Sequence, residues 1–259
     1  MGIESLVGAG GNLSPGMLLS AYEQGVFPWY SEGEPILWHS PDPRFIIFPE
    51  KLHISESMRK VFKHRIFDLR LDSDFGAVIR ACSEAKRPGQ NGTWITEDMI
   101  TAYTDLHRLG WVHSSEAYHE NRLVGGCYGI RLGNAFFGES MFAKESNSSK
   151  AAFLSLACLL FSDGVEFIDC QVHTDHLESL GAVDVPRERF ISLLGAVLAD
   201  RNGLMSAKGM YTARDEDDRR GNWGERYPDF GIRFVVDFAR LRSLPPSRKG
   251  SSSILHPEA

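Results

Sequence analysis

The chain predicts an α+β fold, with a mixed sheet holding most of the core and a small N-terminal subdomain packed on it. Three strand-like runs in succession, 112–119, 122–129 and 136–142, are joined by polar turns and form a meander. A helix, a strand and another helix follow, an order that sets helices beside a mixed sheet. Ser40-Pro41-Asp42-Pro43 is a linker or tight turn that divides a small unit, residues 1–42, from the body, 43–204. Residues 205–259 read as a polar, partly disordered tail.

The elements follow from local signals. Ser14-Pro15 supplies an N-cap and a proline at the first helical position, and Gly25 stops that helix. Phe27-Pro28-Trp29-Tyr30 clusters aromatics around a rigid residue, as core or as a stacking surface. A strand over 44–48 precedes a helix over 55–65 that crowds Arg59, Lys60, Lys63, His64 and Arg65. That run is a solvated face or, in an acidic protein, a seat for phosphates. A strand over 67–72, a helix over 73–82, a glycine-rich loop over 86–92 and a helix over 96–109 lead into the meander.

The stretch from Gly133 to Gln171 concentrates the chemistry. Strand 136–142 carries Glu139, and strand 165–172 carries Asp169 and Gln171, with a helix from Lys150 to Phe161 between them. Ser146-Asn147-Ser148-Ser149 offers the N-cap. A carboxylate among apolar neighbours is costly unless it is partnered or used. Strand alternation puts Asp169 and Gln171 on one face. His173 and His176, near Asp169 and Cys170, suggest a metal site only weakly, because a third ligand is not evident. The alternative is Thr174 or Asp175 capping a short helix, with His176 bonded to the backbone. A helix over 186–200 follows, and 232–241 adds one ordered element.

Composition narrows the function. The 259 residues are 42% hydrophobic and 24% charged, enough apolar material for a real core. No apolar run reaches bilayer length, and the start lacks a basic segment followed by an apolar one, so a cytoplasmic protein is expected. The four cysteines lack metal-finger or redox spacing and read as buried free thiols. A net charge of -6 excludes a generally basic nucleic-acid binder, leaving a local patch for any RNA.

Phe137-Gly138-Glu139-Ser140-Met141-Phe142, Asn147-Ser148-Ser149-Lys150, Ile168-Asp169-Cys170-Gln171-Val172 and Ser179-Leu180-Gly181-Ala182 resemble core motifs of the leucyl/phenylalanyl-tRNA-protein transferases. Gly10-Gly11-Asn12-Leu13-Ser14-Pro15, Gly25-Val26-Phe27-Pro28-Trp29, the stretch from Leu37 to Arg44 and Gly92-Thr93-Trp94-Ile95-Thr96 continue the match in order, to about Arg189. The resemblance implies an acetyltransferase-like (GNAT) sheet domain and an aminoacyltransferase without cofactor or metal. It would move leucine or phenylalanine, or methionine, from aminoacyl-tRNA to proteins beginning with Arg or Lys and mark them for N-degron degradation.

By the same resemblance Trp29 and Trp94 lie around the tRNA's terminal adenosine and Asp169 carries an electrostatic or relay role. A glutamine amide is too weak a base to hold the proton, so Gln171 orients the attacking amine. Glu139 meets the aminoacyl ammonium or orders the acceptor. Phe136, Gly138, Met141, Phe153 and Ile168 line the amino-acid pocket. Arg59, Lys60, Lys63 and Arg65 are the candidates for tRNA phosphates, and a monomer is expected. An acyl-CoA-dependent N-acyltransferase and a non-enzymatic tRNA-binding module are the alternatives.

Overall fold

The computed structural model describes residues 5–85, 93–199 and 234–236. Strands β1 (Leu6–Ala9), β2 (Phe27–Pro28) and β3 (Leu37–His39) make a three-stranded antiparallel sheet in the order β1-β3-β2. Helix α1 (Pro15–Glu23) lies between β1 and β2; the Ser14 hydroxyl accepts from the Met17 N–H, which is the expected N-cap.

The larger sheet has the order β10-β4-β9-β8-β7-β6-β5-β11. Its strands are β4 (Arg44–Ile47), β5 (Asp68–Leu71), β6 (Val112–His119), β7 (Arg122–Leu132), β8 (Ala135–Ala143), β9 (Phe167–Asp169), β10 (Val183–Val185) and β11 (Phe234–Val236). Two pairs, β8 with β9 and β5 with β11, are parallel, and the rest are antiparallel. The mixed sheet of an α+β chain is therefore present. Strand β11 falls inside the ordered element expected over 232–241; the rest of the expected tail, including its disordered stretch, lies outside the described residues.

Helices α2 (Glu56–Lys63), α3 (Phe75–Glu84), α4 (Glu97–Arg108), α5 (Ser148–Ser162), α6 (Asp175–Glu178) and α7 (Arg187–Ala199) cover both faces. Tyr22, Phe75, Tyr103, Phe137 and Phe190 belong to one apolar layer, and Phe62, Phe136, Phe153, Leu156 and Ile168 to the other. Burying each such side chain stabilises the fold by roughly 1.5–3 kcal/mol. Helix α5 is apolar nearly all round because it is the inner helix of its layer. Its start is fixed by Ser148, whose hydroxyl donates to the Val124 carbonyl of β7 at 2.8 Å; Asn147, at φ 67°, makes no side-chain cap. Gly125 on β7 makes room, since a Cβ there would lie 2.4 Å from the Ser148 hydroxyl oxygen.

Two expectations need correction. The strand expected over 165–172 is confined to Phe167–Asp169, because Gln171 sits at φ 59° and turns the chain. Asp169 and Gln171 are thus not related by strand alternation. The helix expected from Ser73 starts at Phe75, because Asp74 caps it and Ser73 donates to Glu116.

A β-bulge interrupts the β7–β8 ladder. Tyr128 pairs with Ser140 and Gly129 with Gly138, leaving Glu139 as the extra residue. Gly129 is required opposite it, since a Cβ there would lie 2.2 Å from the Phe137 carbonyl oxygen.

A polar network is buried between β5 and β6. The Asp72 carboxylate contacts His113 Nδ1 at 2.7 Å and accepts from the Ser114 N–H at 2.8 Å. Burial raises the Asp72 pKa, but His113 and the hydrogen bonds outweigh it and leave the pKa lowered. Glu116 accepts from the Ser114 and Ser73 hydroxyls at 2.6 and 3.0 Å, and burial pushes its pKa to about 7 despite those donors.

Candidate functional site

The parallel β8–β9 pairing ends at Phe137 and Asp169. A cavity of about 280 Å³ is lined by the residues just beyond, Gly138 to Met141 on one side and Cys170 to Val172 on the other. Sequence-expected residues Trp29, Trp94, Phe136, Gly138, Glu139, Met141, Phe153 and Gln171 all line it.

Trp29 and Trp94 stand with ring centroids 6.0 Å apart at 45°. Trp29 is anchored through its backbone: its N–H donates to Leu37 O at 2.9 Å, and its carbonyl contacts His39 Nε2 at 3.1 Å. The opposite wall is apolar, from Phe136 and Met141 on β8 and Phe153 and Leu156 on α5, with the Cys127 and Cys170 thiols between. Burial raises both thiol pKa values, so these cysteines are neutral wall atoms.

Among the described residues, Glu139 is the only carboxylate that lines the cavity. The Tyr22 hydroxyl donates to its Oε1 at 2.7 Å and the Tyr103 hydroxyl to its Oε2 at 3.1 Å; the two phenol oxygens are 2.5 Å apart. Burial raises the Glu139 pKa to about 7, the tyrosine donors oppose the rise, the charge of Asp169 adds to it and that of Arg44 opposes it. Both tyrosines are fully buried, and their own pKa values are pushed well up, first by burial and then by the Glu139 charge.

Asp169 does not line the cavity. It is fully buried, and its two oxygens receive Arg44 Nε and a terminal guanidinium nitrogen at 2.8 and 2.6 Å. The oxygen facing Nε also accepts the Gln171 N–H at 2.9 Å. This bond holds Gln171 in its left-handed turn with the residue at the cavity wall. Arg44 completes its own shell with the Gly25 carbonyl and the rings of Phe190 and Phe27, 4.5 and 5.0 Å away.

Ile168 is buried below the wall, in the same apolar layer as Phe136 and Phe153 and outside the lining. Arg59, Lys60 and Lys63 on α2 and Arg65 just after it are all exposed and away from the cavity wall. Thr174 caps α6 by accepting from the Leu177 N–H at 3.2 Å. His176 departs from its expected backbone bond: it lines the cavity, and its Nε2 is buried without a partner among the described residues. Burial and the charge of Lys150 lower its pKa, which keeps it neutral at pH 7. His173 groups instead with Asp175 and Glu178, all exposed.

Sequence reasoning missed Arg44, Tyr22 and Tyr103. For Arg44 the available signal was a cation at the head of a wholly buried strand. No described helix is long and apolar enough to cross a membrane.

The geometry supports a cleft with a stacking surface, an apolar recess and one tuned carboxylate. Comparison with known proteins agrees in family. Residues 46–195 match the family described as leucyl/phenylalanyl-tRNA protein transferase, and residues 11–42 match its N-terminal domain. A leucyl/phenylalanyl-tRNA-protein transferase of Myxococcus xanthus is 50% identical over 220 residues, 85% of this chain and 87% of that one. One of Syntrophus aciditrophicus is 53% identical over 191 residues, 74% of this chain and 80% of that one. Among solved structures, a GCN5-related N-acetyltransferase-like protein from Streptococcus suis overlaps at TM-score 0.33, with 15% identity over 66% of this chain and 63% of that one. On the two family matches and the identities of about one half, the chain belongs to the leucyl/phenylalanyl-tRNA protein transferase family.

Proposed function

We propose that the chain transfers leucine or phenylalanine from aminoacyl-tRNA to the α-amine of acceptor proteins that begin with Arg or Lys. The observation that carries this reading is the joint lining of one cavity by two tryptophans, an apolar recess and the Glu139–Gln171 pair. A terminal adenosine stacks at Trp29 and Trp94, where each stacked base contributes about 1–3 kcal/mol. The leucine or phenylalanine side chain then enters the recess of Phe136, Met141 and Phe153, over the Ile168 layer, with Gly138 at its edge.

The aminoacyl ester is already activated, so positioning and proton handling suffice for aminolysis. Gln171 orients the attacking amine, and Asp169 acts through it by fixing the turn at its N–H. The exposed cations Arg59, Lys60, Lys63 and Arg65 take tRNA phosphates. In this reading residues 1–42 are the N-terminal subdomain, 43–204 the acetyltransferase-like catalytic domain, and 205–259 the tail. The protein works as a cytoplasmic monomer and supplies substrates to N-degron proteolysis.

The test is transfer of labelled leucine or phenylalanine from charged tRNA to peptides beginning with Arg, Lys or Ala. Labelling of the Arg and Lys peptides alone, abolished in Gln171→Ala with tRNA binding retained, supports the reading. Absence of labelling with folded wild-type protein overturns it.

A further inference from the structure

We infer that Tyr22 and Tyr103 are positioning residues that hold the bulged Glu139 carboxylate as the base receiving the acceptor's ammonium proton. The inference rests on the transferase reading above. It starts from what the other acidic group cannot do. Asp169 has Arg44 on both oxygens and the Gln171 N–H on one of them, and it is walled off from the cavity. Among the described residues Glu139 is the carboxylate that reaches the cavity, and it does so because the bulge inserts it there as an unpaired residue.

A bulged side chain needs something to aim it. Tyr22 comes from α1 and Tyr103 from α4, and each binds a different Glu139 oxygen, so the carboxylate plane is fixed from two sides. Neither ring can swing away. Tyr22 packs edge-on against Phe137 at 5.2 Å, and Tyr103 edge-on against Tyr128 at 5.9 Å. The groups acting on Glu139 are Tyr22 of α1, Tyr103 of α4, Asp169 at the end of β9 and Arg44 of β4; Tyr128 of β7 stands behind Tyr103, and His176 of α6 shares the cavity wall. Their balance leaves a carboxylate with a pKa of about 7, near that of an α-ammonium, where proton exchange between the two is close to even.

The step balances. One N–H bond of the acceptor ammonium breaks and its proton goes to Glu139. The freed lone pair attacks the ester carbonyl carbon, a C–N bond forms, and the bond from that carbon to the ribose oxygen breaks. The second amine proton ends on the ribose oxygen, the third stays on the new amide, and Glu139 releases its proton to solvent.

The experiment measures single-turnover transfer from charged tRNA to an Arg-initiated peptide between pH 5.5 and 9. Wild type, Tyr22→Phe, Tyr103→Phe, the double variant and Glu139→Gln are compared, with thermal unfolding recorded for each. Removing a hydroxyl donor destabilises the ionised carboxylate, so each Phe variant should move the ascending limb up by roughly one pH unit, with activity recovering at high pH. Glu139→Gln should lose about 10²-fold or more at every pH while tRNA binding persists. Folded Phe variants whose profiles drop evenly at all pH, or do not change, overturn the positioning role. A fully active Glu139→Gln overturns the base assignment. Failure of the wild type to transfer at all is a failure of the transferase reading, which separates the two.

Discussion

Arg44 and Asp169 meet in a two-pronged ion pair, 2.8 and 2.6 Å long, with both side chains fully buried. The pair joins β4 to the end of β9 and, through the Gln171 N–H, sets the cavity wall. Arg44→Met strands a buried carboxylate and should cost about 3–5 kcal/mol in urea unfolding. Arg44→Met with Asp169→Leu should recover most of that loss, because no charge is left unpaired, yet transfer should stay low since Gln171 has lost its anchor.

Glu116 supplies a pH-dependent prediction away from the site. Its pKa is raised from 4.5 to about 7 in the folded state, so the native protein holds that proton longer than the unfolded chain. Stability therefore falls as pH climbs from about 4.5 to 7, by up to about 3 kcal/mol from this group. Asp72 works in the opposite sense, with a lowered pKa whose stabilisation is lost only at more acid pH. Urea titrations at successive pH values should show a decline toward neutrality that Glu116→Gln makes shallower by roughly half, the remainder coming from Glu139, whose pKa is raised to about 7 as well.

Trp29 and Trp94 should act on affinity. Alanine at either position should weaken aminoacyl-tRNA binding by roughly 5- to 150-fold, the equivalent of about 1–3 kcal/mol of stacking. Equal binding by both variants in a filter assay would remove the stacking role.

The α2 cations should act on salt dependence. Lys60→Glu with Lys63→Glu should lower tRNA affinity and make the plot of log affinity against log salt shallower, by about one unit per lost phosphate contact. Thermal stability should hardly change, because both side chains are exposed.

Gly129→Ala tests the bulge. Its new Cβ would meet the Phe137 carbonyl oxygen at 2.2 Å and the Phe136 ring at 2.5 Å, so backbone must shift. A stability loss of about 1–3 kcal/mol is expected, with a larger proportional loss of transfer.

Much of this was legible in the sequence because it depends on near neighbours. Ser14 before Pro15, Thr96 before Glu97 and the apolar run of α5 each declare an element through local capping or burial. The cavity walls were legible through motifs that keep Phe136, Met141 and Phe153 close in sequence. What stayed hidden was set by distant partners. Asp169 looks like an active-site acid until Arg44, 125 residues away, occupies it. Gln171 looks like a strand residue because nothing in Cys170-Gln171-Val172 announces a positive φ. Tyr22 and Tyr103 look like ordinary core residues until β8 brings Glu139 between them.

The unpaired residue in β8 also resets which way the strand counts. Phe136 and Met141 are five apart, and so are Phe137 and Phe142; in unbroken alternation each pair would point to opposite faces. Here Phe136 and Met141 belong to one apolar layer and Phe137 and Phe142 to the other. Parity is inverted midway, so a strand that starts by feeding one layer keeps feeding the recess after the insertion. Removing residue 139 would leave each pair four apart, so regular alternation would keep Phe136 with Met141 and Phe137 with Phe142; what the insertion adds is the Glu139 carboxylate at the cavity wall, with no change in which apolar side chains line the recess.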